Sequence, residues 1–168
     1  GALGGDVTIA GALTVNGVVS SSADEASATA IRIGDGATVS EIKVNGGVSA
    51  EAGTGNGVRG SAILVEDGAT VSTIRNTGTI VAGAGEDAVS VAILDQSGGV
   101  GLIENGGLVR ATGEAGSAIA IDLRANGSGA TVRQIVALEG DDAPRIAGDI
   151  LFGSGADRLE VADGTIAG

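Results

Sequence analysis

Gly60-Ser61-Ala62-Ile63-Leu64-Val65-Glu66-Asp67-Gly68-Ala69-Thr70-Val71-Ser72-Thr73-Ile74-Arg75-Asn76-Thr77-Gly78-Thr79-Ile80-Val81-Ala82 is the stretch on which the fold turns. It holds three short segments rich in β-branched residues, Ala62 to Val65, Thr70 to Ile74 and Thr79 to Ala82. Glu-Asp-Gly and Asn-Thr-Gly separate them. Short alternating runs bounded by such residues are half-buried strands joined by tight turns. A helical solenoid would need apolar spacings of three and four and few glycines, and this chain has 32 glycines.

The pattern repeats. Asp35-Gly36-Ala37-Thr38-Val39-Ser40 returns unchanged as Asp67-Gly68-Ala69-Thr70-Val71-Ser72, and Gly-Ala-Thr-Val appears again at Gly129 to Val132. Between them, Gly101 to Val109 matches Ser72 to Ile80. Three apolar columns follow from this alignment. Ile42, Ile74, Ile103 and Ile135 make one, and Val48, Ile80 and Val109 a second. The third joins Gly60 to Val65 with Gly116 to Ile121, with Asp87 to Val91 between them. Repetition at this period signals a solenoid, in which each unit buries its apolar face only against its neighbours. The units run approximately 1–27, 28–59, 60–87, 88–116, 117–145 and 146–168 of a single segment.

The fold expected is all-β: a right-handed parallel β-helix, a single-stranded solenoid of about five to six coils with three short strands per coil. Coils stacked at about 4.8 Å make a rod roughly 25 to 30 Å long. Its thin interior suits Val, Ile, Leu and Ala, and the chain's one aromatic residue is Phe152. Asn45-Gly46 and Asn105-Gly106 fall at equivalent turns, with Asn76 nearby, so stacked Asn side chains can hydrogen-bond along the rod.

Composition excludes much chemistry. The chain has no His, Cys, Met, Trp or Tyr. Ser-His-Asp triads, cysteine nucleophiles, Cys/His zinc sites and disulfides each lack an essential residue. The net charge is −12, from 21 acids and 9 bases. Such a surface repels phosphate backbones and anionic membranes, so nucleic acid is not an expected partner. No apolar run reaches the roughly 18 residues of a membrane span, so this segment is not expected to insert directly into a membrane. Gly1 to Ala10 lacks the basic start and apolar stretch of a signal peptide.

Several acidic groups are candidate sites. Gly153 to Glu160 approaches the calcium nonapeptide around Asp157, but Phe152 replaces its first Gly, and calcium in such arrays is shared between turns. Asp141-Asp142 is the most carboxylate-rich turn; a glycosidase would need two acids on one face at roughly 5 to 10 Å. Asp24-Glu25, Glu66-Asp67 and Glu86-Asp87 are read as an acidic stripe along one edge. Arg75 and Glu104 are expected to pair one coil apart. Lys43 faces Arg75, so no continuous ion-pair ladder is expected there. Thr38, Thr70 and Thr131 align without the second Thr that an ice-binding rank needs. No catalytic, cofactor-binding or metal-ligating residue is assigned. The loops singled out for direct binding are Ser20 to Ser27 and Ala50 to Gly57, both without an aromatic anchor.

The degenerate units, with Asn76-Thr77-Gly78-Thr79-Ile80 and the closing Ile146-Ala147-Gly148-Asp149-Ile150-Leu151-Phe152-Gly153-Ser154-Gly155-Ala156-Asp157-Arg158-Leu159, resemble the β-helical passenger domains of bacterial autotransporters and related large surface adhesins. The resemblance covers nearly the whole chain. It implies export across the outer membrane and an extracellular or cell-surface location. It implies a structural stalk or scaffold that supports adhesion, or alternatively an adhesin module that binds a host surface protein or glycan. It implies no enzyme activity and no cofactor. It also implies that this segment stacks, coil on coil, with the rest of a longer parent chain.

Overall fold

The computed structural model describes residues 2–3, 7–114 and 116–168; positions 1 and 4–6 of the opening ten lie outside it. Each coil contributes three strands in turn. The first holds β1 (Ala2–Leu3), β2 (Thr8–Val15) and β3 (Val18–Ser22), and the second β4 (Ala28–Ile33), β5 (Thr38–Val44) and β6 (Gly47–Ala52). The third holds β7 (Arg59–Val65), β8 (Thr70–Asn76) and β9 (Thr79–Ala84), and the fourth β10 (Val89–Asp95), β11 (Leu102–Asn105) and β12 (Leu108–Thr112). β13 (Ala118–Asp122), β14 (Thr131–Gln134) and β15 (Arg145–Ala147) make the fifth; β16 (Asp149–Leu151), β17 (Arg158–Val161) and β18 (Thr165–Ala167) make the last.

Strands at the same station pair in parallel. They form three six-stranded sheets, here the first (β1 to β16), second (β2 to β17) and third (β3 to β18). The chain is a three-sided β-solenoid, and among the described residues it contains no helix. The three segments read from residues 60–82 fall within β7, β8 and β9.

The interior is built of in-register columns. In the second sheet, Leu13, Ile42, Ile74, Ile103, Val132 and Leu159 stack in succession. In the third sheet, Val19, Val48, Ile80, Val109, Ile146 and Ile166 do the same. In the first sheet the column is Ile31, Ile63, Ile93, Ile121 and Ile150. Ala30, Ala62, Ala92 and Ala120 of the first sheet are buried in the same core, and Phe152 packs against it only partly buried.

Three expected alignments are corrected. Ile135 is not in the Ile74 column; Val132 takes that place against Ile103, and Ile135 packs over the corner at Gly106. Thr131 is level with Leu102 and hence with Thr73, not with Thr70. Gly116 to Ile121 slides by two residues against Gly60 to Val65, because Ser90 pairs with both Gly60 and Ala118, and Ile93 with both Ile63 and Ile121. In the observed register Val132 and Ile121 hold the inward places opposite Ile103 and Ile93.

The corner between the second and third sheets is closed by glycine. A Cβ on Gly46, Gly78 or Gly107 would lie 2.1, 2.0 or 2.1 Å from the carbonyl oxygen of Gly17, Gly46 or Gly78 respectively. Backbones therefore touch at this corner, and no other residue fits. At the corner between the first and second sheets, Gly68 adopts φ 76°, which explains the repeated Asp-Gly.

Candidate functional site

A solenoid displays its chemistry on three faces and three rows of corners. The outer face of the second sheet carries charge. Lys43, Arg75, Glu104 and Arg133 stand level in successive strands, followed by Glu160. Arg75 pairs with Glu104 at 2.8 Å, as its register suggested. The expectation that no ladder forms is overturned by Glu41. It lies on the same strand as Lys43, two residues earlier, and sits between the two cations, 3.3 Å from the Lys43 amine and 2.6 Å from Arg75 Nε. Arg133 then bridges Glu104 at 3.6 Å and Glu160, which Arg158 also approaches at 3.2 Å. Seven side chains so form one continuous ladder.

Glu104 lies deepest in that row. Its residue is 8% exposed, and its Oε2 accepts no directed hydrogen bond, so the Arg75 charge compensates it. At the end of the ladder, hydrogen bonds from Arg133 and then Arg158 hold the Glu160 carboxyl below its ordinary pKa, and Glu160 raises that of Arg133. Solvent screening leaves exposed pairs of this kind little net stability, so the ladder is chiefly a device of register and solubility.

The outer face of the first sheet carries an apolar strip. Val91, Leu94 and Ile119 form an outward cluster with Leu64 and Leu151 packed against it. Asp122 interrupts this strip, level with Leu94 on one strand and Leu151 on the other, and is held by Arg124, whose Nε and Nη2 donate at 3.0 and 2.7 Å. Burial pushes the Asp122 pKa up, but the Arg124 hydrogen bonds and charge outweigh it, and the carboxyl titrates below its usual range.

The polar residues inside the rod do structural work. Asn76, Asn105 and Gln134 stand in one buried column. Asn76 Nδ2 donates to Asn105 Oδ1 at 2.8 Å, and Asn105 Nδ2 to Gln134 Oε1 at 3.3 Å. The same amides tie the corner: Asn105 donates to Gly107 O and Arg145 O and accepts from Gly107 N. The stacked-Asn expectation is met, with one refinement. Asn45 belongs to a second, outer row, where its Nδ2 donates to Asn16 Oδ1 at 2.8 Å, while Val44 holds the inner position.

Sequence reasoning missed Asp95 and Asn126. Asp95 is 1% exposed, and its carboxylate accepts from Ser97 N and Oγ, Gly98 N and Val100 N. Asn126 accepts from Ser128 N and Gly129 N and donates to Val100 O. Each folds its own corner around a side chain. The available signal was the local motif, an Asp or Asn two residues before Ser and close to Gly, which marks an Asx-type turn.

The candidate sites fall as follows. Asp157 Oδ1 accepts from Ala130 N at 2.8 Å, a tie between corners of adjacent coils. Asp24-Glu25 and Glu86-Asp87 lie at the corner between the third and first sheets, while Glu66-Asp67 lies between the first and second, so the acids do not make a single stripe. Among the described residues no group of three His, Cys, Asp or Glu is placed to hold a metal ion. Of the two suspected loops, residues 20–22 and 50–52 are strand. Their remaining turns are knitted to the neighbouring coil by Ala23 N to Glu51 O, Gly53 N to Ala26 O and Gly55 N to Glu86 O.

The real excursion is elsewhere. Corners from the second to the third sheet need two residues in each of the first four coils, but the fifth spends residues 135–144 between β14 and β15. Val136 and Leu138 on it are each 64% exposed. With Thr77, Gly107, Leu108 and Arg145, its Asp141 and Asp142 line a cleft of about 410 Å³. The larger cavity of about 550 Å³ is the apolar lumen at the first coil, walled by Leu13, Val15, Ile31 and Ile33.

Among the described residues, no helix is long and apolar enough to cross a membrane. The chain matches no family model, no curated protein and no solved structure.

Proposed function

We propose that the chain is a stalk or scaffold segment of an exported bacterial surface protein of autotransporter type, located outside the cell or on its surface, with no catalytic role of its own. The observation that carries this reading is the row of flush, glycine-closed corners. Successive coils meet at van der Waals distance along Gly46, Gly78 and Gly107. Buried amides and a surface ion ladder lock them in register. Such a stack transmits length and stiffness and leaves little concave surface for a substrate. The autotransporter part rests on the resemblance of the repeats.

A second reading, a module that binds glycan or host protein directly, is favoured by the loop at 135–144 with its exposed Val136 and Leu138. Both readings are tested by screening the folded chain against glycans and extracellular-matrix proteins, with and without calcium. A companion variant replaces residues 135–144 by a two-residue Asn-Gly corner. The scaffold reading expects no saturable binding from either protein. Saturable binding that the corner replacement abolishes would overturn it in favour of the loop.

A further inference from the structure

Five Asn-Gly pairs punctuate the chain: Asn16-Gly17, Asn45-Gly46, Asn56-Gly57, Asn105-Gly106 and Asn126-Gly127. In water such pairs share a reaction. The following backbone nitrogen, once deprotonated, attacks the Asn Cγ; ammonia leaves and a five-membered succinimide closes. Water then opens the ring at either carbonyl, giving Asp or isoaspartate. The step needs a free Gly N–H, a carboxamide able to swing onto it, and space.

The fold treats the five pairs differently. At Asn105 the side chain is fully buried and has five hydrogen-bond contacts, and Gly106 N donates to Asn76 O at 2.8 Å. At Asn45 the carboxamide is held by Asn16 and Thr77, and Gly46 N donates to Val15 O at 3.0 Å. Asn126 is 2% exposed, and its Oδ1 is pinned by the amides of Ser128 and Gly129, pointing it past Gly127. Asn16 has one tether, to Asn45.

Asn56 differs from all of these. It is exposed, and among the described residues its carboxamide makes no hydrogen bond. It occupies a turn closed by Val58 N donating to Gly55 O at 3.1 Å, which leaves the Gly57 N–H outside the turn's own bond. Gly57 has φ 80°, and a Cβ placed there would meet nothing within 4 Å, so the ring has room to close. We infer that Asn56-Gly57 is a built-in modification site, the corner of this rod that deamidates fastest in the folded state, while the stacked corners at Asn45, Asn105 and Asn126 hold their amides. The product adds a negative charge beside Glu86, whose carbonyl accepts from Gly55 N. Because the turn is a surface one, the extra backbone methylene of isoaspartate is accommodated there.

The test is peptide mapping by mass spectrometry after mildly alkaline incubation, with isoaspartate scored separately. Folded and denatured chains are run in parallel until the denatured chain has converted at every Asn-Gly pair. In the folded chain Asn56 is expected to convert about tenfold or more faster than Asn45, Asn105 and Asn126, because those corners must first open locally. Asn56→Gln should remove the main folded-state product and leave the denatured pattern elsewhere unchanged. Equal rates at Asn56 and Asn105 in the folded chain would overturn the inference. So would an Asn56 that stays intact while folded.

Discussion

Asn105→Ala should be among the most damaging polar substitutions in the chain. The side chain has three donor contacts and two acceptor contacts, all inside the corner. Removing it leaves Asn76 Nδ2 with Leu108 O at 3.0 Å as a remaining partner. Gly107 N loses the Oδ1 acceptor 3.2 Å away, and Gln134 Oε1 loses the Asn105 donor, its one side-chain donor among the described residues. Orphaning a buried polar group costs about 1 to 3 kcal/mol, so two of them destabilise by about 2 to 6 kcal/mol. Asn45→Ala is the matched control. It is the same residue at a corresponding corner, but it stands on the outer row, where water replaces what is lost, and it should cost less than about 1 kcal/mol. The assay is urea unfolding followed by far-ultraviolet circular dichroism, with hydrogen exchange of the amides at 105–108 as a local readout. If the two variants lie within error of one another, the internal amide column is not holding the corner and the reasoning fails.

Further consequences can be checked with single substitutions and with pH. Ile74→Asp places an unpaired carboxylate in a fully buried column and should abolish the cooperative transition, whereas Val18→Asp, at a residue 78% exposed, should leave it intact. Gly78→Ala drives a Cβ to 2.0 Å from Gly46 O and should cost about 1 to 3 kcal/mol or more by overpacking; thermal melting against the Gly17→Ala variant, where nothing lies within 4 Å, reads the difference. The Asp122 and Glu160 carboxyls titrate lower in the folded chain than their unfolded values of about 4. The unfolded chain therefore binds more protons between the two values. The stability these groups supply is complete above that range and disappears as pH falls through the folded pKa values. Arg124→Gln should flatten this acid limb in a series of melts, and an unchanged limb would contradict the pairing.

Much of the architecture was legible because the strand period and the turn chemistry agree along the whole chain. The column of Val48, Ile80 and Val109 could be read from spacing alone. The register errors share one physical cause. At Gly116 to Ile121 the slip puts Ile121 in the place expected of Ile119, one isoleucine for another, so hydrophobicity alone cannot expose it. The three-residue slip at Val132 hides for a related reason. In β8 the inward residues are Val71 and Ile74, three apart, so a motif displaced by three still points its valine inward. The Glu41 contacts are invisible to the alignment of level residues, because Glu41 reaches across from two residues earlier on the same strand as Lys43. The loop at 135–144 was hidden by its composition. Ile135, Val136 and Leu138 look like another strand, and only the position of β15 shows that they are outside the stack.

The most direct test of the stacked register uses the chain's lack of cysteine. Leu102 and Thr131 are level neighbours on adjacent strands in the structure, whereas the alignment that places Ile135 beside Ile103 would set Leu102 beside Gln134. Two double variants, Leu102→Cys with Thr131→Cys and Leu102→Cys with Gln134→Cys, are oxidised under mild conditions and mapped for intramolecular disulfide. The coil stack described above predicts rapid closure in the first and little in the second. Closure in the second but not in the first would contradict it.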